Sequence, residues 1–192
     1  MPLVYFVTHP DVTIDASIPV PEWRLSERGI ERMHLFAAQP WLCNVRSIFC
    51  SDERKAIDGA KILADALKRD CVVRKALGEN DRSATGYLPR LEFEKAADKF
   101  FAQPDVSVRG WERAADAQRR IISAMEAIIS NANKDGDLAV ISHGGIGALY
   151  LCHLKGVAIS RSADQPPGNG GNFYVFESST RRLLLDWRPI DN

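Results

Sequence analysis

The 192-residue chain carries 25 basic and 25 acidic side chains with 45% apolar residues, an ordinary globular composition. No excess of positive charge marks a nucleic-acid or anionic-membrane binder, and no apolar run approaches the roughly 20 residues that span a bilayer. Met1-Pro2 leads straight into an apolar segment without the basic flank of a secretory signal, so a cytoplasmic protein with one domain over residues 1–192 is expected.

In chain order, residues 3–7 form an almost wholly apolar run that stops at Thr8-His9-Pro10-Asp11. Such short runs suit strands buried on both faces. Leu25-Ser26-Glu27 opens a helix, with Ser26 as N-cap and Ile30, Met33 and Ala37 along one face. A second strand over 47–50 is followed by a helical stripe of Ala56, Ala60, Leu63 and Leu67, and a third strand falls at 71–73. The polar segment 79–89, with Gly86 and Pro89, is expected as a lid or substrate loop beside a short helix over 92–101. Ala114, Ala117, Ile121, Met125, Ile128 and Ile129 make the most regular helical stripe. A fourth strand, 138–141, runs into a helix beginning at Gly144; a Pro/Gly-rich loop, 162–172, precedes a hairpin of 173–177 and 182–187. The alternation of strand and helix predicts an α/β layered fold with a mostly parallel sheet and a partly antiparallel C-terminal hairpin. Cys43, Cys50, Cys71 and Cys152 show no CxxC or Cys/His cluster and read as buried reduced thiols.

In open α/β sheets ligands bind beyond the carboxyl ends of the strands. Those ends here carry Thr8-His9-Pro10-Asp11, Ser51-Asp52-Glu53-Arg54-Lys55, Glu79-Asn80-Asp81-Arg82 and Ser142-His143-Gly144-Gly145. Two histidines and several cations beside a helix N-terminus suit a phosphoryl group. One imidazole attacks phosphorus, and the cations and second imidazole stabilise the equatorial oxygens. Gly144 and Gly145 are expected to let the backbone approach the anion closely. Metal binding through His9 and His143 lacks a third ligand at recognisable spacing. His34 and His153 fall inside helical patterns and read as structural.

With these motifs the chain resembles the histidine phosphatase, or phosphoglycerate mutase-like, superfamily. Leu25-Ser26-Glu27-Arg28-Gly29 matches its Leu-(Thr/Ser)-x-x-Gly element, Ser51 to Ala60 its Ser-x-x-x-Arg-Ala element, and Ser142-His143-Gly144-Gly145 its late Ser-His-Gly-Gly. The resemblance implies a three-layer α/β/α fold and the mutase and small-phosphatase branch, with no metal or cofactor. It makes His9 the phosphorylated nucleophile, His143 the second pocket histidine and Glu79 the proton donor, with Asp11 and Asp81 as rival carboxylates. Lys55, Arg54, Arg82 and Gly144 are its expected phosphate contacts. The implied ligand is a small phosphorylated substrate or inorganic phosphate, with no nucleic acid or membrane partner. The departures are as specific as the matches: Thr8 stands where the family has Arg, Pro10 where it has Gly, and Lys55 in the slot of a second Arg. The resulting expectation is a phosphatase. The alternatives are an impaired relative that binds phosphorylated ligands or a protein partner and, ranked lower, a phosphomutase.

Overall fold

The computed structural model describes residues 1–132 and 135–191. Six strands, β1 (Leu3–Thr8), β2 (Val45–Cys50), β3 (Cys71–Val73), β4 (Asp137–Ser142), β5 (Asn172–Glu177) and β6 (Leu183–Pro189), form one sheet in the order β3-β2-β4-β1-β5-β6. β3, β2, β4 and β1 run parallel, and the β5–β6 hairpin adds antiparallel to β1. Among the described residues five α-helices flank the sheet: α1 (Glu27–Ala37), α2 (Arg54–Leu67), α3 (Arg90–Ala102), α4 (Ala114–Asn131) and α5 (Gly144–Leu154). The architecture is the expected α/β one, and each element differs from its sequence-based bounds by only a few residues.

Strand alternation sorts the core into two layers. Val4 and Phe6 of β1 and Leu138 and Val140 of β4 face α3, α4 and α5, where Ile121, Met125 and Leu149 are fully buried. Tyr5, Val7, Ala139 and Ile141 face the other way, toward Met33 and Phe36 of α1 and Ala60 and Leu63 of α2. Both central strands are therefore covered on each side, which explains why they read as continuous apolar runs.

Two expectations are corrected. Ile30 lies 41% exposed, because α1 turns Gly29, Arg32, Met33 and Phe36 inward. Arg32 can be buried on that face because Asp11 and Asp191 neutralise it, at 2.8 and 2.9 Å. Among the cysteines, Cys50 and Cys152 are buried, Cys71 is half-buried and Cys43 is exposed in the turn before β2; all four are free thiols.

The Leu-Ser-x-x-Gly element has a local cause. Ser26 Oγ accepts the Gly29 N–H (3.2 Å) and caps α1. Ser26 N donates to Asp11 O (3.0 Å), so the first turn of α1 rests on the segment that follows His9. A Cβ on Gly29 would overlap that same carbonyl oxygen. Gly29→Ala is accordingly expected to cost about 1–3 kcal/mol, read as a lower urea midpoint. An unchanged midpoint would contradict this packing.

Candidate active site

The central β1–β4 pairing aligns Thr8 with Ser142. One further ladder bond, His9 N to Ser142 O (3.1 Å), carries the pairing past the strand end. His9 and His143 thus leave the sheet side by side, with ring centroids 5.2 Å apart and planes inclined at 67°. His9 Nδ1 lies 2.9 Å from Pro10 O. A carbonyl oxygen only accepts, so Nδ1 carries the proton and Nε2 keeps a free lone pair. Burial, reinforced by the charge of Lys55, lowers the pKa of His9 to about 4. Burial likewise holds His143 well below its ordinary value, against the opposing pull of Glu53. Both imidazoles are therefore neutral near pH 7.

Around them the strand ends converge. Ser51 Oγ and His143 Nε2 share a 2.7 Å hydrogen bond, and Ser51 Oγ accepts Glu53 N–H (3.3 Å). His143 Nδ1 is buried without a hydrogen-bond partner among the described residues. Lys55 is buried and donates to Val20 O (2.9 Å) and Glu53 Oε2 (2.5 Å). Glu53 Oε1 stands 3.4 Å from His143 Nε2 and accepts Glu79 N–H (2.8 Å). Burial alone would push the Glu53 carboxyl up, but His143 and Lys55 outweigh it and bring its pKa to about 2. Since His143 is neutral near pH 7, Lys55 is the cation that keeps Glu53 charged there.

Glu79 occupies the start of α5. Its oxygens accept the N–H groups of Gly145 (3.1 Å), Ile146 (3.0 Å) and Asn80 (3.1 Å). This corrects the expectation that the helix N-terminus stands open for a substrate anion: the anion at these two amides is the protein's own carboxylate. The paired glycines make room for side chains of the protein. A Cβ on Gly145 would come within 2.8 Å of Glu79 Oε1, and one on Gly144 would overlap Gln165 Nε2. Arg82 stacks over Phe93 and Trp111 (5.1 and 5.6 Å to the centroids) and stands 3.9 Å from Glu79. Its charge, like that of Lys55, acts on both histidines.

The Thr8 slot holds no cation. Thr8 Oγ1 donates to Gln165 Oε1 (2.7 Å) and accepts Asn172 N–H (3.0 Å), and Asn172 Nδ2 also donates to Gln165 Oε1 (3.1 Å). Other expected or rival residues lie elsewhere. Arg54 turns along its own helix to Asp58 (3.1 Å). Asp11 is tied to Arg32 and Asn169; burial opposes its ionisation, yet these partners hold its carboxyl below the usual range. Asp81 is exposed and accepts Ser83 N–H (2.8 Å). Ser142 Oγ donates to Leu77 O (2.7 Å). His34 and His153 are exposed on α1 and α5. Sequence reading passed over Glu53, two residues before Lys55 inside a quoted motif, and Gln165, inside the Pro/Gly-rich loop.

The sequence profile of the histidine phosphatase superfamily (branch 1) matches residues 13–183, beginning just beyond His9. No curated protein sequence matches the chain. Among solved structures, a mycobacterial glucosyl-3-phosphoglycerate phosphatase, Rv2419c, superposes with a TM-score of 0.79 at 16% identity over 97% of each chain. Bacillus stearothermophilus YhfR gives 0.80 at 16% identity over 96% of this chain and 95% of its own. A phosphoserine phosphatase variant from Entamoeba histolytica gives 0.77 at 13% over 96% and 95%. With a profile match over most of its length, the chain belongs to the histidine phosphatase superfamily, branch 1.

Proposed function

We propose that the protein hydrolyses a small phosphomonoester through a phosphohistidine at His9. The observation that carries this reading is the pair of neutral imidazoles at adjoining strand ends. His9 has its Nε2 lone pair free, and His143 has a buried Nδ1 without a partner among the described residues. His9 Nε2 attacks phosphorus, forming the P–N bond as the P–O ester bond breaks. The leaving oxygen takes a proton relayed from solvent through Glu79, which rests as the carboxylate at the start of α5. Water then attacks phosphorus, returning a proton to Glu79, and the P–N bond breaks to release inorganic phosphate. In the tautomer that takes its Nε2 bond from the Ser51 hydroxyl, His143 has its Nδ1–H free to donate to a phosphoryl oxygen. Lys55 and Arg82 supply positive charge around that group. Several fold relatives are described as phosphatases, one of them in complex with inorganic phosphate.

A second reading, a family member that binds phosphorylated ligands without turnover, draws on two observations. Thr8 brings no charge, and the ammonium of Lys55 is already paired with Glu53. Turnover separates the two. On a phosphomonoester panel the wild type is expected to release phosphate, and His9→Ala to lose about a thousandfold or more in rate. Binding of phosphate without release of product would favour the second reading, and turnover surviving His9→Ala would end the first.

The state of His9 gives a pH prediction. Because its folded pKa lies near 4 rather than 6.5, its imidazole resonances should titrate at about pH 4 in an NMR series. A midpoint near the ordinary value would contradict the half-buried, neutral nucleophile. The sign for stability follows. The unfolded chain binds a proton at His9 from about pH 6.5 downward and the folded chain does not, so the His9 contribution falls as pH drops from about 6.5 to 4.

A further inference from the structure

The carboxamide of Gln165 is fixed in orientation by a chain of one-way hydrogen bonds. Gly170 O can only accept, so the Asn172 group 3.2 Å from it is the NH2. That NH2 also points at Gln165 from 3.1 Å, so the Gln165 atom receiving it is Oε1. Thr8 Oγ1 donates to the same oxygen at 2.7 Å. Two donors therefore saturate Oε1, and Nε2 is turned the other way, with no acceptor among the described residues. Nε2 rests against Gly144, in the space a Cβ there would fill. Gly144 follows His143 and Thr8 precedes His9, so the carboxamide bridges the two strand ends from which both imidazoles project.

We infer that the Gln165 NH2 group donates to the phosphoryl group, acting as the neutral substitute for a cation in the slot where Thr8 stands. The inference rests on the phosphatase reading above. A phosphoryl group brings three non-bridging oxygens, each needing donors inside a site that excludes water. The two cations whose charge reaches the histidines each face a carboxylate, Lys55 with Glu53 at 2.5 Å and Arg82 with Glu79 at 3.9 Å. The Gln165 NH2 is a donor at the strand ends that is oriented by the protein and taken by no acceptor among the described residues. Thr8 is the positioning residue: its hydroxyl is too short to serve as a clamp itself but holds the oxygen end of the amide.

Gln165→Glu separates a donor from a scaffold. A carboxylate of nearly the same shape still accepts from Thr8 and Asn172, while the NH2 is lost and a negative charge appears. The test uses orthovanadate, which stands in for the transferring phosphoryl group, titrated calorimetrically into the full chain beside His9→Ala. The wild type is expected to bind. Gln165→Glu is expected to bind about a hundredfold more weakly or worse, with its thermal midpoint unchanged. Wild-type affinity in Gln165→Glu would overturn the inference while leaving the phosphatase reading standing. Failure of the wild type to bind vanadate would overturn both. Should Gln165→Glu fail to fold, the wild type decides alone. The side-chain NH2 signals of Gln165 are expected to shift on adding inorganic phosphate, and signals that stay in place would refute the assignment.

Discussion

The hydrogen bond from His9 N to Ser142 O extends the parallel β1–β4 ladder one residue beyond the paired Thr8 and Ser142, and the site depends on that register. Residues leaving two adjacent parallel strands at the same level emerge as neighbours, so the two imidazoles meet without any loop having to bring them together. A slip of one residue would point each side chain to the opposite face of the sheet. The register is held by burial: Val4 and Phe6 with Leu138 and Val140 fill one layer, Tyr5 and Val7 with Ala139 and Ile141 the other. The rigidity of the site is thus inherited from the centre of the core, where strand motion would open cavities on both sides.

Electrostatically the pocket is balanced rather than strongly positive. Neutral imidazoles face two ion pairs, a close one between Lys55 and Glu53 and a longer one between Arg82 and Glu79. Glu79 also crosses from the loop after β3 to the first turn of α5, so one side chain fixes loop, helix and pocket wall together. On the opposite side, Arg32 gathers Asp11, Asp191 and the carbonyl oxygens of Gly170 and Gly171 around the turn that follows His9. Removing one partner from such a buried charge cluster leaves the others uncompensated, which is why these residues act as supports for the histidine turn.

Local pattern carried much of this in advance. The apolar runs located β1 and β4, the stripe of Ala117, Ile121 and Met125 located α4, and the strand ends pointed to His9 and His143. Partnerships distant in the chain were not legible. Gln165 lies 157 positions from Thr8, in a segment whose composition announces only a loop. Nothing in the local pattern around Arg32 marks it for burial, because that burial depends on carboxylates that fold back from elsewhere. Gly144 and Gly145 looked like room for a ligand, and the occupants, Gln165 and Glu79, come from two separate loops. Glu53 was hidden differently, as an unremarked position inside a motif read for its serine and its cations.

The proposed chemistry turns on covalent phosphorylation of His9. The most direct measurement is to mix the protein with a turned-over phosphomonoester, quench in alkali, where phosphohistidine survives, and map the modified residue by mass spectrometry. Phosphate carried on His9, and absent when the quench is acidic, is the predicted result. Turnover with phosphate trapped on another side chain, or rapid turnover with no trapped phosphoenzyme under any quench, would contradict it.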